Sequence, residues 1–267
     1  KSFVLILCWL FFTDAVSQSV YFPDTNWQIK KPEELKMNKS LLDSAVSFAL
    51  KNENKVERDL RIANMKSYSR EPGYKMIGPM KERGGPAGLV IKNGYIVAQW
   101  GDVNRVDMTF SVTKSYLSTV AGLAVDNGLI KSVHDKVGQY VWGDLFEGPH
   151  NSKVTWDHLL TQSSDWSGSL FGLHDWADRP PREGTIDDWK NRKLLEPGTN
   201  YEYNDVRVNL LSYSLLHVWR KPLPVVFKEK IMDPIGASTT WRWFGYENSF
   251  VTLDGLTMQS VSGGGHH

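Results

Sequence analysis

The chain has 267 residues, of which 41% are hydrophobic and 23% are charged, and its formal net charge is +1. This composition is typical of a globular protein with one large domain or two smaller ones. Because no basic patch interleaved with aromatic residues stands out, nucleic acid is not an expected partner.

The first 18 residues have the features of a signal peptide. Lys1 precedes an apolar run over residues 3–12, and Ala15-Val16-Ser17 fits a small-x-small cleavage site. The run is short for a membrane span, so we expect cleavage and a secreted or periplasmic protein, with a retained membrane anchor as the alternative. Cys8 lies inside the run, so the cleaved chain would have neither a disulfide nor a thiolate nucleophile.

Residues 19–84 are predicted to form an N-terminal extension with a helix. Apolar residues recur at helical spacing among charged ones from position 33 to about position 61. Residues 65–85 are rich in Lys, Arg, Gly and Pro, which predicts a loop.

Residues 85–130 are predicted to form an α/β core segment that begins with a β-hairpin. Apolar runs at 87–92 and 95–100 flank Asn93-Gly94, a pair that tolerates the positive φ angles of a tight turn. Further along, apolar residues recur at helical spacing over positions 116–124, and Asn127-Gly128 is a natural C-terminal cap.

Ser111-Val112-Thr113-Lys114 lies where this helix should begin. Positions i and i+3 share a helix face, so the Ser111 hydroxyl and the Lys114 amine can meet. A serine needs such a neighbour to act as a nucleophile at neutral pH, and a helix N-terminus favours developing negative charge. The alternative interpretation is a polar first turn, with Ser111 near the cap and Lys114 exposed.

The rest of the chain is predicted to form a helical domain over residues 131–235 and a return toward the core over residues 236–267. Helical stretches are predicted at 154–160, 187–195 and 206–219. Pro180-Pro181 and Pro197-Gly198 separate them, and Pro222 with Pro224 follows the last one. We expect no metal site at His266-His267, because a metal site needs further placed ligands.

Several segments, in order, resemble one superfamily over roughly residues 86–265. They are Phe110-Ser111-Val112-Thr113-Lys114-Ser115, Asn127-Gly128-Leu129-Ile130 with Asp135, residues 154–164, residues 197–205 with Tyr203-Asn204-Asp205, and Pro234-Ile235-Gly236-Ala237. The chain is therefore identified as similar to serine β-lactamases and penicillin-binding proteins, in particular to class C β-lactamases and related esterases, amidases and D-alanyl peptidases. The amino-acid sequence of residues 203–211 resembles that of the branch that contains 6-aminohexanoate-dimer hydrolases.

The resemblance implies an α/β (α+β) fold with an antiparallel sheet flanked by helices, an inserted all-helical domain, and a catalytic cleft between them. It implies that Ser111 attacks a carbonyl while Tyr203 and Lys114 accept its proton, and that the backbone N–H of Ser111 supplies half of the oxyanion hole. A tyrosine is a poor base at neutral pH, but a nearby ammonium stabilises its phenolate. The alternative for Tyr203 is a buried phenol whose hydroxyl is satisfied by the loop. No cofactor is implied.

Asp205 departs from the Asn that is usual in the family, and the resemblance implies supporting or substrate-contact roles for Asn204 and Asp205. An ionised Asp only accepts hydrogen bonds. Our hypothesis is that Asp205 pairs with Lys114 and keeps it protonated, which leaves Tyr203 as the main proton acceptor. The departure also argues against recognition of β-lactams.

The third motif of the family, Lys/His-Ser/Thr-Gly or Trp-Gly-Gly, has no convincing match after Tyr203. Gly263-Gly264-Gly265 resembles a loop that precedes that motif. We therefore expect an incomplete sheet with an exposed edge, a missing second oxyanion N–H, and a chain that is inactive by itself.

The leading interpretation is a serine hydrolase that acts on a small ester or amide through an acyl-enzyme at Ser111. The alternatives are a D-alanyl-D-alanine carboxypeptidase or β-lactamase, and a non-catalytic binding or sensor protein on the same fold. The sequence indicates neither the substrate's acyl group nor the oligomeric state.

Overall fold

The computed structural model describes residues 21–69 and 82–263, so the predicted signal peptide and the terminal His-His pair lie outside the described residues. The helices are α1 (Lys39–Lys51), α2 (Leu60–Tyr68), α3 (Thr113–Asp126), α4 (Gly148–Asn151), α5 (Trp156–Leu160), α6 (Ile186–Lys190), α7 (Asp205–Trp219) and α8 (Leu223–Phe227). The strands are β1 (Gly88–Lys92), β2 (Tyr95–Trp100), β3 (Ser169–Leu170), β4 (Leu173–His174), β5 (Gly245–Leu253) and β6 (Leu256–Val261). In the described ranges, no helix is long and apolar enough to cross a membrane.

The described residues divide into two compact units, one within residues 1–52 and 86–103 and the other within residues 53–85 and 104–267. In the first unit, β1 and β2 pair antiparallel as predicted. Asn93 and Gly94 form the turn with φ angles of +53° and +82°, the conformation that the Asn-Gly pair favours. Ile29 adds a parallel bridge to Ile96 at the other edge of β2.

The prediction of helix from position 33 to about position 61 is wrong in its length. The structure has two helices, α1 and α2, with a break between them. Asn38 caps α1 through a hydrogen bond from Leu41 N. Asp59 caps α2 by accepting from Arg61 N and Ile62 N. Residues 52–59 are almost entirely polar and have no apolar face to bury, so the cap at Asp59 starts a second helix instead of continuing the first. Helix α2 also extends into the region predicted as loop.

Helix α7 lies at the centre of the second unit and is buried on nearly all sides. Its buried apolar residues join those of α3, α5 and α8 in one core cluster. Its buried residues also include polar ones, such as Arg207 and Asn209, which have polar partners inside the unit. Because residues 203–205 directly precede or begin α7, the packing of this helix fixes their position.

The class of fold is as predicted, with helices and antiparallel strands. Within the described residues, the strands form three separate two-stranded pairs, β1 with β2, β3 with β4 and β5 with β6, rather than one continuous sheet. The last pair is attached to α7 by polar contacts: Ser212 Oγ donates to Val261 O over 2.6 Å, and Gly263 N donates to Asn209 Oδ1 over 2.9 Å. These bonds hold the end of β6 against the central helix.

A buried arginine ties the start of α7 to the segment 165–175. Arg207, whose side chain is 2% exposed, lies 2.9 Å from Asp165 and 3.3 Å from Asp175, and its third ion pair, with Glu202, measures 3.0 Å. Its Nε also donates to Trp166 O. Arg192 bridges the same two aspartates. A buried charge is tolerated only when it is paired and hydrogen-bonded in this way.

His217, near the end of α7, makes the stability of the protein depend on pH. Its ring is buried against that of Tyr213, and within the described part of the chain neither ring nitrogen has a hydrogen-bond partner. Burial, with a smaller contribution from the charge of Arg220, lowers the pKa of His217 to about 4. Below the ordinary histidine pKa of about 6.5, His217 binds a proton in the unfolded chain but stays neutral in the folded chain. Stability is therefore lost as the pH falls from about 6.5 toward 4.

We expect the free energy of unfolding of His217→Leu to be higher than that of the original protein. The difference should grow as the pH falls and reach about 1–3 kcal/mol near pH 4.5. Denaturant melts at pH 7.5, 6 and 4.5 measure this margin. The control is His134→Gln, at an exposed histidine. A margin that stays constant over this range would contradict the prediction.

Candidate active site

Ser111 is presented by a tight turn immediately before α3. The turn covers Phe110–Val112, and Phe110 has a φ of +47°, a left-handed conformation that a bulky residue adopts only under constraint. Lys114 lies in the first turn of α3, and its Nζ donates to Ser111 Oγ over 3.2 Å. The serine and the lysine therefore meet one turn apart, at the N-terminal end of the helix.

Tyr203 comes from a distant part of the same unit's sequence and completes the group. Its Oη lies 2.6 Å from Ser111 Oγ, although the two residues are 92 positions apart. Lys114 Nζ also lies 4.5 Å from the centroid of the Tyr203 ring. The structure thus brings together the three residues predicted to act together, with the hydroxyl of Ser111 in contact with both the phenol and the ammonium.

Asn204 follows Tyr203 in the chain and anchors this segment at the start of α7. It is fully buried and is the N-cap of α7, where its side-chain oxygen accepts from Arg207 N. Its amide nitrogen donates to Asp175 O over 2.8 Å, and its backbone N–H donates to Gln162 Oε1 over 3.0 Å. With no exposed surface, Asn204 has the contacts of a supporting residue.

Asp205 is buried and connects two cations. Its Oδ1 lies 2.7 Å from Lys114 Nζ, which is the pairing that the sequence suggested. Its Oδ2 accepts from Arg179 over 2.7 Å. Two cations facing its oxygens favour the ionised carboxylate, and an ionised carboxylate presents no hydrogen-bond donor.

Arg179 is a member of this site that sequence reasoning missed. Its guanidinium lies 4.6 Å from the centroid of the Tyr203 ring and is gripped by both oxygens of Asp178, at 2.9 Å and 2.8 Å. Asp178 in turn accepts a hydrogen bond from Asp205 N, at the start of α7. An Asp-Arg-Pro-Pro run matches no motif that carries chemistry, so only the folded chain reveals this contact.

The arrangement contains two cations, Lys114 and Arg179, and two carboxylates, Asp178 and Asp205, around one phenol and one hydroxyl. A phenolate at Tyr203 would lie close to both positive charges and within direct reach of the Ser111 proton. Such a group can deprotonate the serine as it attacks a carbonyl. Among the residues that the structure describes, no group of three or more His, Cys, Asp or Glu side chains could hold a metal ion.

Comparison with known proteins adds a family match. The model of the family described as Beta-lactamase matches residues 75–245, which starts and ends earlier than the resemblance noted in the sequence. No curated protein sequence matches the chain.

Similar solved structures include three bacterial proteins. A putative β-lactamase from Bacteroides dorei DSM 17855 is 19% identical, with a TM-score of 0.44, over 74% of this chain and 52% of that one. A β-lactamase/D-alanine carboxypeptidase from Yersinia pestis is 19% identical, with a TM-score of 0.36, over 52% and 44%. A putative 6-aminohexanoate-dimer hydrolase from Bacillus anthracis is 14% identical, with a TM-score of 0.40, over 58% and 47%. The chain thus spans about half the length of these structures.

Proposed function

The chain belongs to the beta-lactamase family, and on that premise we propose that it is a serine hydrolase that forms an acyl-enzyme at Ser111 with a small ester or amide. The observation that carries the proposal is the 2.6 Å contact between Ser111 Oγ and Tyr203 Oη, with Lys114 beside both. The 6-aminohexanoate-dimer hydrolase branch, suggested by the wording of residues 203–211, is the proposed placement within the family.

In the proposed reaction, Tyr203 as phenolate takes the proton of Ser111 while Oγ bonds to the carbonyl carbon. The negative charge moves to the carbonyl oxygen, where the backbone N–H of Ser111 is the proposed donor. The carbonyl re-forms as the bond to the leaving group breaks, and Tyr203 returns its proton to that group. Water then attacks the acyl-enzyme, with Tyr203 again accepting a proton and returning it to Ser111 Oγ.

Asp205 supports a preference for simple esters and amides over β-lactams. Both of its oxygens face cations, so it offers no donor to the carbonyl of a substrate's side-chain amide. It also pairs with Lys114 Nζ over 2.7 Å, and the proposal therefore assigns the role of proton acceptor to Tyr203. An export signal at residues 1–18 would place the activity outside the cytoplasm.

Hydrolysis of nitrophenyl esters tests the proposal most directly. In a protein that carries this chain together with the third motif of the family, we expect turnover of nitrophenyl acetate or butyrate, together with an intact mass that increases by one acyl group located on Ser111. Benzylpenicillin assayed in parallel separates the alternatives: penicillin acylation that is faster than ester turnover would indicate a D-alanyl-D-alanine carboxypeptidase or β-lactamase. A lack of any acyl adduct and any turnover would indicate a non-catalytic binding protein.

Replacing Asp205 by asparagine should move the whole pH–rate profile to lower pH, by about one unit. Without the carboxylate, the surroundings of Tyr203 and Lys114 become more positive, so both groups lose their protons more readily. The measurement is kcat/KM for a nitrophenyl ester from pH 5 to 10. Glu196→Gln, which neutralises an exposed carboxylate paired with Lys153, is the control and should leave the profile in place. An unchanged profile in Asp205→Asn would count against the assigned role.

A further inference from the structure

Arg179 is fixed by contacts on several sides, although its side chain is 29% exposed. Both oxygens of Asp178 and one oxygen of Asp205 face its guanidinium. Both bonds to Asp178 come from Nη1, and Nη2 donates to Asp205, so two carboxylates hold the guanidinium through charge-assisted hydrogen bonds, which are about twice as strong as neutral ones. The guanidinium therefore has a defined orientation at the rim of the site.

The backbone of Arg179 is held in an unfavourable conformation. Its φ is +45°, in the left-handed region that residues with a side chain rarely adopt, and the neighbouring Pro180 is buried. A strained residue persists only where its surroundings over-determine it, and such residues cluster at functional sites. Here the strain directs the guanidinium onto the ring of Tyr203.

The two cations of the site are placed alike with respect to this ring. Lys114 Nζ lies 4.5 Å and Arg179 Cζ lies 4.6 Å from the ring centroid of Tyr203. They share one counter-ion, because Asp205 faces the lysine with Oδ1 and the arginine with Oδ2. Arg179 thereby acts on the phenol in two ways: through its own charge, and by holding the carboxylate that orients the lysine.

We propose that Arg179 is a positioning residue of the acyl-transfer site, which orients Asp205 toward Lys114 and supplies a second positive charge that stabilises the Tyr203 phenolate. This inference rests on the proposed role of Ser111 as nucleophile. It makes Arg179 necessary for the reactivity of the serine, and not only for the folding of the segment 165–205.

The test measures how fast a fluorophosphonate labels Ser111 between pH 5 and 10. In this reaction, Ser111 Oγ bonds to phosphorus, fluoride leaves, and the serine proton passes to Tyr203. We expect Arg179→Gln to slow labelling at pH 7 about 10-fold to 100-fold and to raise the pH of half-maximal rate by about one unit, because the variant removes a positive charge that lies 4.6 Å from the centroid of the ring that carries the phenolate. Arg179→Lys keeps a cation but loses the pair of nitrogens that contacts Asp178 and Asp205 separately, so its half-maximal pH should stay close to that of the original protein.

Arg192→Gln is the matched control, because Arg192 also bridges two buried aspartates, Asp165 and Asp175, and its side chain is 26% exposed. We expect it to keep the original pH of half-maximal labelling, even where loosening of the two aspartates lowers the labelling rate. An equal shift in Arg179→Gln and Arg192→Gln would overturn the proposal by showing a general effect of loosening the segment. An equal shift in Arg179→Lys and Arg179→Gln would also overturn it, because charge would then not be the cause.

The labelling assay and the ester assay fail in different ways. Arg179-dependent labelling without ester turnover would support the role of Arg179 and refute the proposed hydrolase activity. If Arg179→Gln does not fold, the comparison of Arg179→Lys with the original protein remains, and a shift of one unit there would contradict the proposal. A Ser111 that no fluorophosphonate labels in the original protein would overturn the inference itself.

Discussion

Ser111→Ala is expected to lower the kcat of ester hydrolysis by about 10⁴-fold to 10⁶-fold, because the variant removes the atom that forms the acyl-enzyme. Neither Tyr203 nor Lys114 can replace it, since their role in the proposed mechanism is to move and stabilise charge around Oγ. Loss of the nucleophile leaves only the contribution of substrate binding and of any oxyanion donor, which explains why the expected effect is so large. The measurement is steady-state hydrolysis of nitrophenyl acetate, with intact mass as a second readout.

The matched control is Ser115→Ala, which removes the hydroxyl of an exposed serine one turn further along α3. We expect this variant to keep its activity within about twofold, because an exposed surface substitution perturbs the structure little. Thermal melts of both variants should agree with that of the original protein to within a few degrees. Hydrolysis that survives in Ser111→Ala would show that the acyl group is carried elsewhere, and would remove the basis of the proposed function.

The sequence predicts the parts of this structure that depend on local signals. Asn93-Gly94 determines a hairpin through its positive φ angles, and the i, i+3 spacing of Ser111 and Lys114 places both groups on one helix turn. Tyr203 was located by its resemblance to a family motif and not by any local rule, because nothing in the spacing of 92 positions indicates a contact of 2.6 Å.

The features that the sequence does not reveal depend on the tertiary structure. Arg179 reaches Tyr203 only because its backbone adopts a left-handed conformation, which the residue type argues against. The break between α1 and α2 depends on a competition between weak helix propensity and the capping hydrogen bonds of Asp59, which periodicity does not register. In both cases the average conformational preference of the residue type does not indicate the interaction that determines the structure.

Arg207→Ala is expected to destabilise the protein by about 3–5 kcal/mol, the largest effect on stability that we expect from a single substitution here. The arginine is 2% exposed and contacts two aspartates that are themselves almost fully buried. Among the residues that the structure describes, removing it leaves Arg192 as the ionic partner of these two negative charges in a low-dielectric interior, and it creates a cavity between α7 and the segment 165–175. Urea melts at pH 7 give the difference in unfolding free energy.

Lys153→Ala is the comparison, because Lys153 forms a well-aligned pair with Glu196 while both side chains are about half exposed. An exposed ion pair contributes about 0–1 kcal/mol, so this variant should be nearly neutral. A second variant separates charge from volume, because Arg207→Met fills most of the space without a charge. A loss of unfolding free energy as large as that of Arg207→Ala would assign the effect to the unpaired aspartates.

Because Asn204 donates to the carbonyl of Asp175, we expect loosening of the segment 165–175 to reach Tyr203 and to slow acylation even in molecules that remain folded. Stability equal to that of Lys153→Ala would show that the ionic cluster does not hold α7 in place.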